Sequence, residues 1–233
     1  MIFRLRLYVL FLSDLIIGLL QEALFILFPA YCTSCHALLK ERKALCSVCI
    51  ADIKPLVSQK LVVTQKYQME VYAVGVYQDP LRQLVLAKSY QDRLACYYIA
   101  QLIYEHLMRE QLSADYLVPI PLHWTRYAKR GYNQSDEIAY YLSQLTGIPV
   151  LHALKRIKRT PFQMQFNKEG RKSNVEDAFT LMLSEEEQQI AKHKHLLLVD
   201  DVMTTGATLH ASARQLLQLK PLSLKAVVLA RAV

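Results

Sequence analysis

Four apolar residues in succession, Leu196 to Val199, run straight into two carboxylates, Asp200 and Asp201. An unalternating apolar run predicts a strand buried on both faces, and such strands belong to parallel sheets covered by helices on either side. The rest of the chain alternates accordingly. Residues 69–78 predict a strand or a hairpin arm, 80–89 a short helix and 94–110 a longer one, with apolar positions three and four apart. A buried strand is expected over 116–121, halted by two prolines. A helix follows over 135–147, with Ser135 as its cap and Gly147 at its end. Residues 148–154 read as a short strand, 184–193 as a helix, 195–201 as the buried strand, 207–219 as a helix and 223–233 as the last strand. Strands alternating with helices give an α/β fold with a parallel sheet.

Ligands of such sheets sit beyond the carboxyl ends of the strands, which is where Asp200 and Asp201 stand. Two ionised neighbours repel each other unless a vicinal diol or a divalent cation relieves them. The next residues are small or carry hydroxyls: Thr204, Thr205, Gly206, Ala207 and Thr208. Gly206 lets the backbone turn and approach a ligand, and the helix beginning near Ala207 points its unpaired N–H groups at an anion. Diol receptors beside an anion cradle describe a ribose bearing a 5′-phosphate. The simpler alternative is an Asx-type turn that caps the helix and holds nothing.

Four of the five cysteines are paired as Cys32-x-x-Cys35 and Cys46-x-x-Cys49, with Cys96 apart. The odd total and the paired spacing argue against a secreted disulfide scaffold and for a tetrahedral, closed and therefore structural zinc site. Reduced buried thiols and an iron–sulfur cluster are the alternatives. A segment this short has little core of its own, so metal binding would supply much of its folding energy.

The net charge is +8, and residues 126–172 hold ten Lys or Arg against three acids. Such a segment suits a polyphosphate or nucleic-acid partner, or else forms a solvated loop. Its stretch 155–177 has no clean period and is long for a loop inside a compact domain, which predicts a functional hood over the site. Trp124 and Tyr132 lie among the basic residues and are either base-stacking or ordinary packing side chains. At the N-terminus a hydrophobic segment follows Arg4 and Arg6, but Asp14, Gln21 and Glu22 interrupt it. An amphipathic helix packed on the body or on a partner is expected, with peripheral membrane attachment as the alternative and a cytoplasmic location as the working expectation.

The run from Leu196 to Thr208 resembles the phosphoribosyl-pyrophosphate signature of type I phosphoribosyltransferases: an apolar strand, two acids, two variable residues and a Thr-Gly loop opening a helix. Together with the four cysteines it resembles the ComF family, which includes ComFC and GntX proteins. Residues 117–139, with Arg130, Gly131, Tyr132, Asn133 and Gln134, resemble that family's Arg-Gly-aromatic-Asn-Gln stretch. Residues 86–95 resemble its Lys-aromatic segment, with Ser89 inserted after Lys88, and residues 159–179 resemble its Gln…Arg…Asn-Val…Ala-Phe segment.

The resemblance implies a type I phosphoribosyltransferase fold over 61–233, preceded over 1–60 by a small helix and a zinc element. It implies that Asp200 and Asp201 hold the ribose hydroxyls, with Mg²⁺ nearby, and act in catalysis if the protein is an enzyme. Substrate contacts would also come from Lys88, Arg130, Val202 and the loop of Thr204, Thr205, Gly206, Ala207 and Thr208. It further implies a role in natural transformation, with single-stranded DNA and a ComFA-type helicase or another single-strand-handling protein as partners; the alternatives are a non-catalytic single-strand-binding protein with a regulatory nucleotide site and a salvage phosphoribosyltransferase.

Overall fold

The computed structural model describes residues 27, 29–87, 93–108, 112–122, 127–128, 131–157 and 178–233. The strands among them are β1 (Gln59–Thr64), β2 (Tyr67–Val76), β3 (Tyr116–Pro119), β4 (Leu154–Arg156), β5 (Phe179–Leu181), β6 (His195–Met203) and β7 (Ser223–Arg231). The α-helices are α1 (Ser47–Ala51), α2 (Leu81–Ala87), α3 (Arg93–Ile103), α4 (Gln134–Thr146), α5 (Glu185–Ala191) and α6 (Ala207–Leu216). Five strands form one sheet in the order β1-β2-β7-β6-β3. Its three inner pairings, β2 with β7, β7 with β6 and β6 with β3, are parallel, and the β1–β2 hairpin alone is antiparallel.

Both faces of this sheet are covered, as the apolar run at 196–199 predicts. Leu197, Val199, Val227 and Leu229 pack with α2, α3 and α4 in one cluster. Leu196, Leu198, Ala226 and Val228 pack on the opposite side with Leu209, Ala213 and Leu216 of α6. The alternation follows from the strand period of two. Each leucine taken fully out of water contributes roughly 1.5–3 kcal/mol, so the middle of β6 is firmly fixed between the two faces. The cysteine element is not a separate ball, because Cys32, Leu45 and Cys49 share the first cluster with Ile99, Leu102 and Ile103.

Several local expectations change. The helix expected over 94–110 begins at Arg93, and its α-helical part ends at Ile103, continuing as a π-helical turn over Tyr104–Met108. The strand expected over 148–154 reduces to one bridge between Val150 and Leu117. Leu117 N donates to Pro149 O and Leu151 N to Leu117 O, and the ladder goes no further. Pro149 lacks the N–H that a continuing ladder would use. The next strand, β4, instead pairs with β5 in a separate two-stranded antiparallel sheet. Arg156 lies opposite Phe179 and Ile157 N donates to Ala178 O at 2.8 Å, so the two flanks of residues 158–177, which lie outside the described residues, are held side by side.

β1 is unforeseen. Its hairpin turns at Gln65 and Lys66 without an Asn-Gly or Asp-Gly signal, helped by Lys66 N donating to Thr64 Oγ1 at 3.3 Å. The hydrophobic N-terminal segment, Lys88, Trp124 and Arg130 also lie outside the described residues. Among the described residues no helix is long and apolar enough to cross a membrane.

Candidate ligand site and metal centre

β3 stops pairing with β6 at Val199, opposite Pro119, while β6 continues along β7 to Met203. The acids therefore do not end the strand. They lie inside its last four residues, which have lost one neighbour. Strict alternation does not run through the pair, since Val202 packs against the cluster of Leu197 and Val199 while Met203 belongs to that of Leu196 and Leu198; the half-buried position of the acids lets water screen part of their mutual repulsion. Backbone donors reduce it further: Asp201 N donates to Asp200 Oδ1 at 2.9 Å, and Val202 N to Asp201 Oδ1 at 2.6 Å. Asp200, Asp201 and Val202 are all half-buried.

Beyond Met203 the chain turns through Thr204 and Thr205 into Gly206, the N-cap of α6, which sits in the left-handed region at φ +75°. A Cβ at Gly206 would stand 2.8 Å from Met203 Cε and 3.2 Å from Leu61 Cδ1. The loop is thus seated on β1, a strand 140 or so positions earlier in the chain (roughly, by numbering). Ala207 N donates to Thr205 Oγ1 at 3.4 Å and His210 N to Gly206 O at 2.8 Å, which opens α6. Thr204 is exposed, Thr205, Ala207 and Thr208 are half-buried, and Gly206 is buried. The carboxylates and the start of α6 thus lie at one end of the sheet. That end combines acceptors suited to hydroxyls with a helix N-terminus suited to an anion.

The start of α4 joins them. Ser135 does not cap this helix: the N-cap is Asn133, which makes no side-chain cap bond. Asn133 Nδ2 instead donates to Ile120 O at 3.0 Å, just past β3, and Ser135 Oγ donates to Asp200 Oδ1 at 2.8 Å. Asn133 Oδ1 and Gln134 Nε2 are buried without a hydrogen-bond partner among the described residues. Sequence reading placed Asn133 and Gln134 in a family-like stretch but gave neither a role, and it missed the reach of Ser135 to β6. The only signal was a run of five polar residues, Asn133 to Glu137, where an amphipathic helix begins. Tyr132 is buried, with the Arg93 guanidinium 5.5 Å from its ring centroid, the surroundings of a packing side chain.

The second centre is the cysteine cluster. The thiol sulfurs of Cys32, Cys35, Cys46 and Cys49 all lie within 4.8 Å of one another. A zinc–thiolate bond of about 2.3 Å in a tetrahedron sets the sulfur–sulfur edge at about 3.8 Å. The Cys35–Cys46 separation of 3.7 Å fits that edge and is far too long for a disulfide. Local folding makes the cluster. The first CxxC turns back on itself through His36 N to Cys32 O, aided by the left-handed His36. The second opens α1, with Cys46 as N-cap. Backbone N–H groups point at sulfur: Cys46 N at Cys32 Sγ and Cys49 N at Cys46 Sγ, each at 3.4 Å.

Burial pushes the Cys32 thiol up, but backbone donors at Cys35, Cys46 and Ser34 outweigh it and bring it down to about 6. Burial and the neighbouring thiols push Cys49 up to about 12. Four sulfurs this close suit a soft cation, and zinc is the ion that a closed set of four thiolates favours.

A family model described as a phosphoribosyl transferase domain matches residues 128–232. Competence protein F of Haemophilus influenzae is 32% identical over 166 residues, covering 68% of this chain and 71% of that protein. DNA utilization protein YhgH of Escherichia coli is 28% identical over 204 residues, covering 80% of this chain and 84% of the relative. Competence protein ComFC of Bacillus subtilis is 34% identical over 102 residues, 44% of this chain and 38% of that protein. The mostly parallel sheet, the four-cysteine cluster and these likenesses agree, and the chain belongs to the ComF family, with a phosphoribosyltransferase-type α/β fold.

Proposed function

We propose that this protein binds phosphoribosyl pyrophosphate at the carboxyl end of β6. The observation that carries this reading is the shared position of Asp200, Asp201 and the Thr204–Thr208 loop at the start of α6. Asp200 and Asp201 accept hydrogen bonds from the ribose hydroxyls. Thr204, Thr205 and Thr208, with the backbone at Gly206 and Ala207, hold the 5′-phosphate through hydroxyl and N–H donors. Val202 lines the approach. Lys88 and Arg130 supply cationic contacts to the pyrophosphate, Arg130 through its planar fork of donors. Mg²⁺, when bound with the ligand, neutralises pyrophosphate oxygens.

If the site catalyses, the C1–oxygen bond breaks, pyrophosphate leaves with the bonding electrons, and positive charge develops at C1 until the lone pair of an acceptor nucleophile forms the new bond there. Asp200 and Asp201 then stabilise that charge at a distance set by β6. The biological setting we propose is the handling of incoming single-stranded DNA on the cytoplasmic side during natural transformation. The names of the relatives, competence protein and DNA utilization protein, support it. A second reading keeps the same site as regulatory and assigns binding of single strands to the basic residues of 126–172. In either reading a ComFA-type helicase or another single-strand-handling protein is the partner, and zinc in the four-cysteine cluster is structural.

Calorimetric titration with phosphoribosyl pyrophosphate, with and without Mg²⁺, tests the central claim. Saturable one-to-one binding is expected, and a flat titration in both conditions refutes it. Pyrophosphate release on mixing with candidate acceptors then separates an enzyme from a binding protein. Competition with a short single strand across a salt series reads the second site, where affinity must fall steeply as salt rises.

A further inference from the structure

The hydroxyl of Ser135 is in an unusual place. It lies at the second position of α4, where Ser ordinarily turns back to satisfy the helix's own N–H groups. Here it reaches 65 positions along the chain to β6 and donates to Asp200 Oδ1 at 2.8 Å. The residue is 5% exposed, so water does not compete for this bond. Asp200 Oδ1 also takes Asp201 N at 2.9 Å. Two donors on one oxygen, one from each of two rigid elements, fix the plane of the carboxylate. A donor to an ionised acceptor is also among the stronger hydrogen bonds, and the positive end of the α4 dipole lies at the same place.

We propose that Ser135 is a positioning residue that orients Asp200 for the ribose diol. The proposal rests on the reading of β6 as the phosphoribosyl-pyrophosphate site. A diol needs both of its O–H groups met at once, and a carboxylate free to rotate would lose part of that contact. Ser135 therefore acts through Asp200 and does not touch the ligand.

The test is a double-mutant cycle on the full chain with its metal, using phosphoribosyl pyrophosphate with Mg²⁺ as the probe in calorimetry. Ser135→Ala is expected to weaken binding about five- to tenfold. In the Asp200→Ala background the same change is expected to do nothing further, because the group it positions is gone. A merely structural role for Ser135 would weaken binding by the same factor in both backgrounds, and that result overturns the proposal. Unchanged affinity in Ser135→Ala alone also overturns it while leaving the ligand assignment intact. A wild-type protein that does not bind overturns the ligand assignment and this proposal with it. If Ser135→Ala loses its cooperative melt, Ser135→Cys carries the same cycle. It is close in size to serine but a weak donor, so it is expected to lose binding by a similar factor, and wild-type affinity in that variant refutes the proposal.

Discussion

Gly206→Ala separates two physical demands at the ligand loop. Gly206 has φ +75°, and so does Gly147, which closes α4. An L-residue held in the left-handed region costs about 1–2 kcal/mol, offset in part by the smaller conformational entropy of alanine in the unfolded chain. A Cβ at Gly147 meets nothing within 4 Å. Gly147→Ala therefore reads the backbone cost alone, about 1 kcal/mol. At Gly206 the new Cβ would stand 2.8 Å from Met203 Cε and 3.2 Å from Leu61 Cδ1. The first contact is the tip of a flexible side chain and can move to another torsion, adding about 0.5–1.5 kcal/mol. The expected total for Gly206→Ala is about 1.5–2.5 kcal/mol, or roughly 3–10 °C in Tm for a chain of this length. Urea unfolding of both variants, zinc-loaded and at equal m-value, measures the difference. Only Gly206→Ala should also weaken phosphoribosyl pyrophosphate, because only its shift moves the start of α6. If Gly206→Ala proves no less stable than Gly147→Ala, the seating of the loop on Leu61 and Met203 is not what holds it.

The cluster should bind one zinc per chain, and Cys32→Ser should lower that content and reduce solubility; elemental analysis that finds full occupancy in the variant removes Cys32 from the site. Zinc binding should release protons at neutral pH, because Cys49 lies at about 12 and Cys35 is also raised, so both carry protons before metal binds, while Cys32 at about 6 does not. Metal affinity must then fall as pH falls, and calorimetry in buffers of different ionisation enthalpy should count at least about two protons, those of Cys35 and Cys49; a count of zero contradicts the thiol assignments. Replacing Asp200 and Asp201 together by Asn keeps an oxygen acceptor for Ser135 Oγ and for the two backbone donors, so melting should stay close to wild type. Binding of phosphoribosyl pyrophosphate should weaken at least about tenfold, or 1.4 kcal/mol, and unchanged binding with a lower Tm would make the acids structural.

Much of the framework is legible in the sequence because it rests on local rules. The unbroken apolar run at 196–199 demands cover on both faces, and the sheet provides it. Gly147 ends α4 because the left-handed turn there excludes most side chains. Ser184 and Glu187 close a capping box at α5, as acids near a helix start suggest. The spacing of Cys32, Cys35, Cys46 and Cys49 brings four sulfurs together, since each CxxC turn presents two.

What the sequence could not carry depends on neighbours distant along the chain. Whether β6 ends at Asp200 or runs on to Met203 is set by β7, which keeps pairing after β3 has stopped. That pairing leaves the two acids inside the strand and not beyond its tip, an outcome that apolar patterning cannot encode. β1 has no turn signature and becomes a strand because β2 offers it an edge, and in doing so it supports Gly206. Ser135 reads as a helix cap from its neighbours in sequence. It serves Asp200 instead, because α4 packs against β6 and places a buried hydroxyl where an ionised carboxylate is the strongest acceptor within reach.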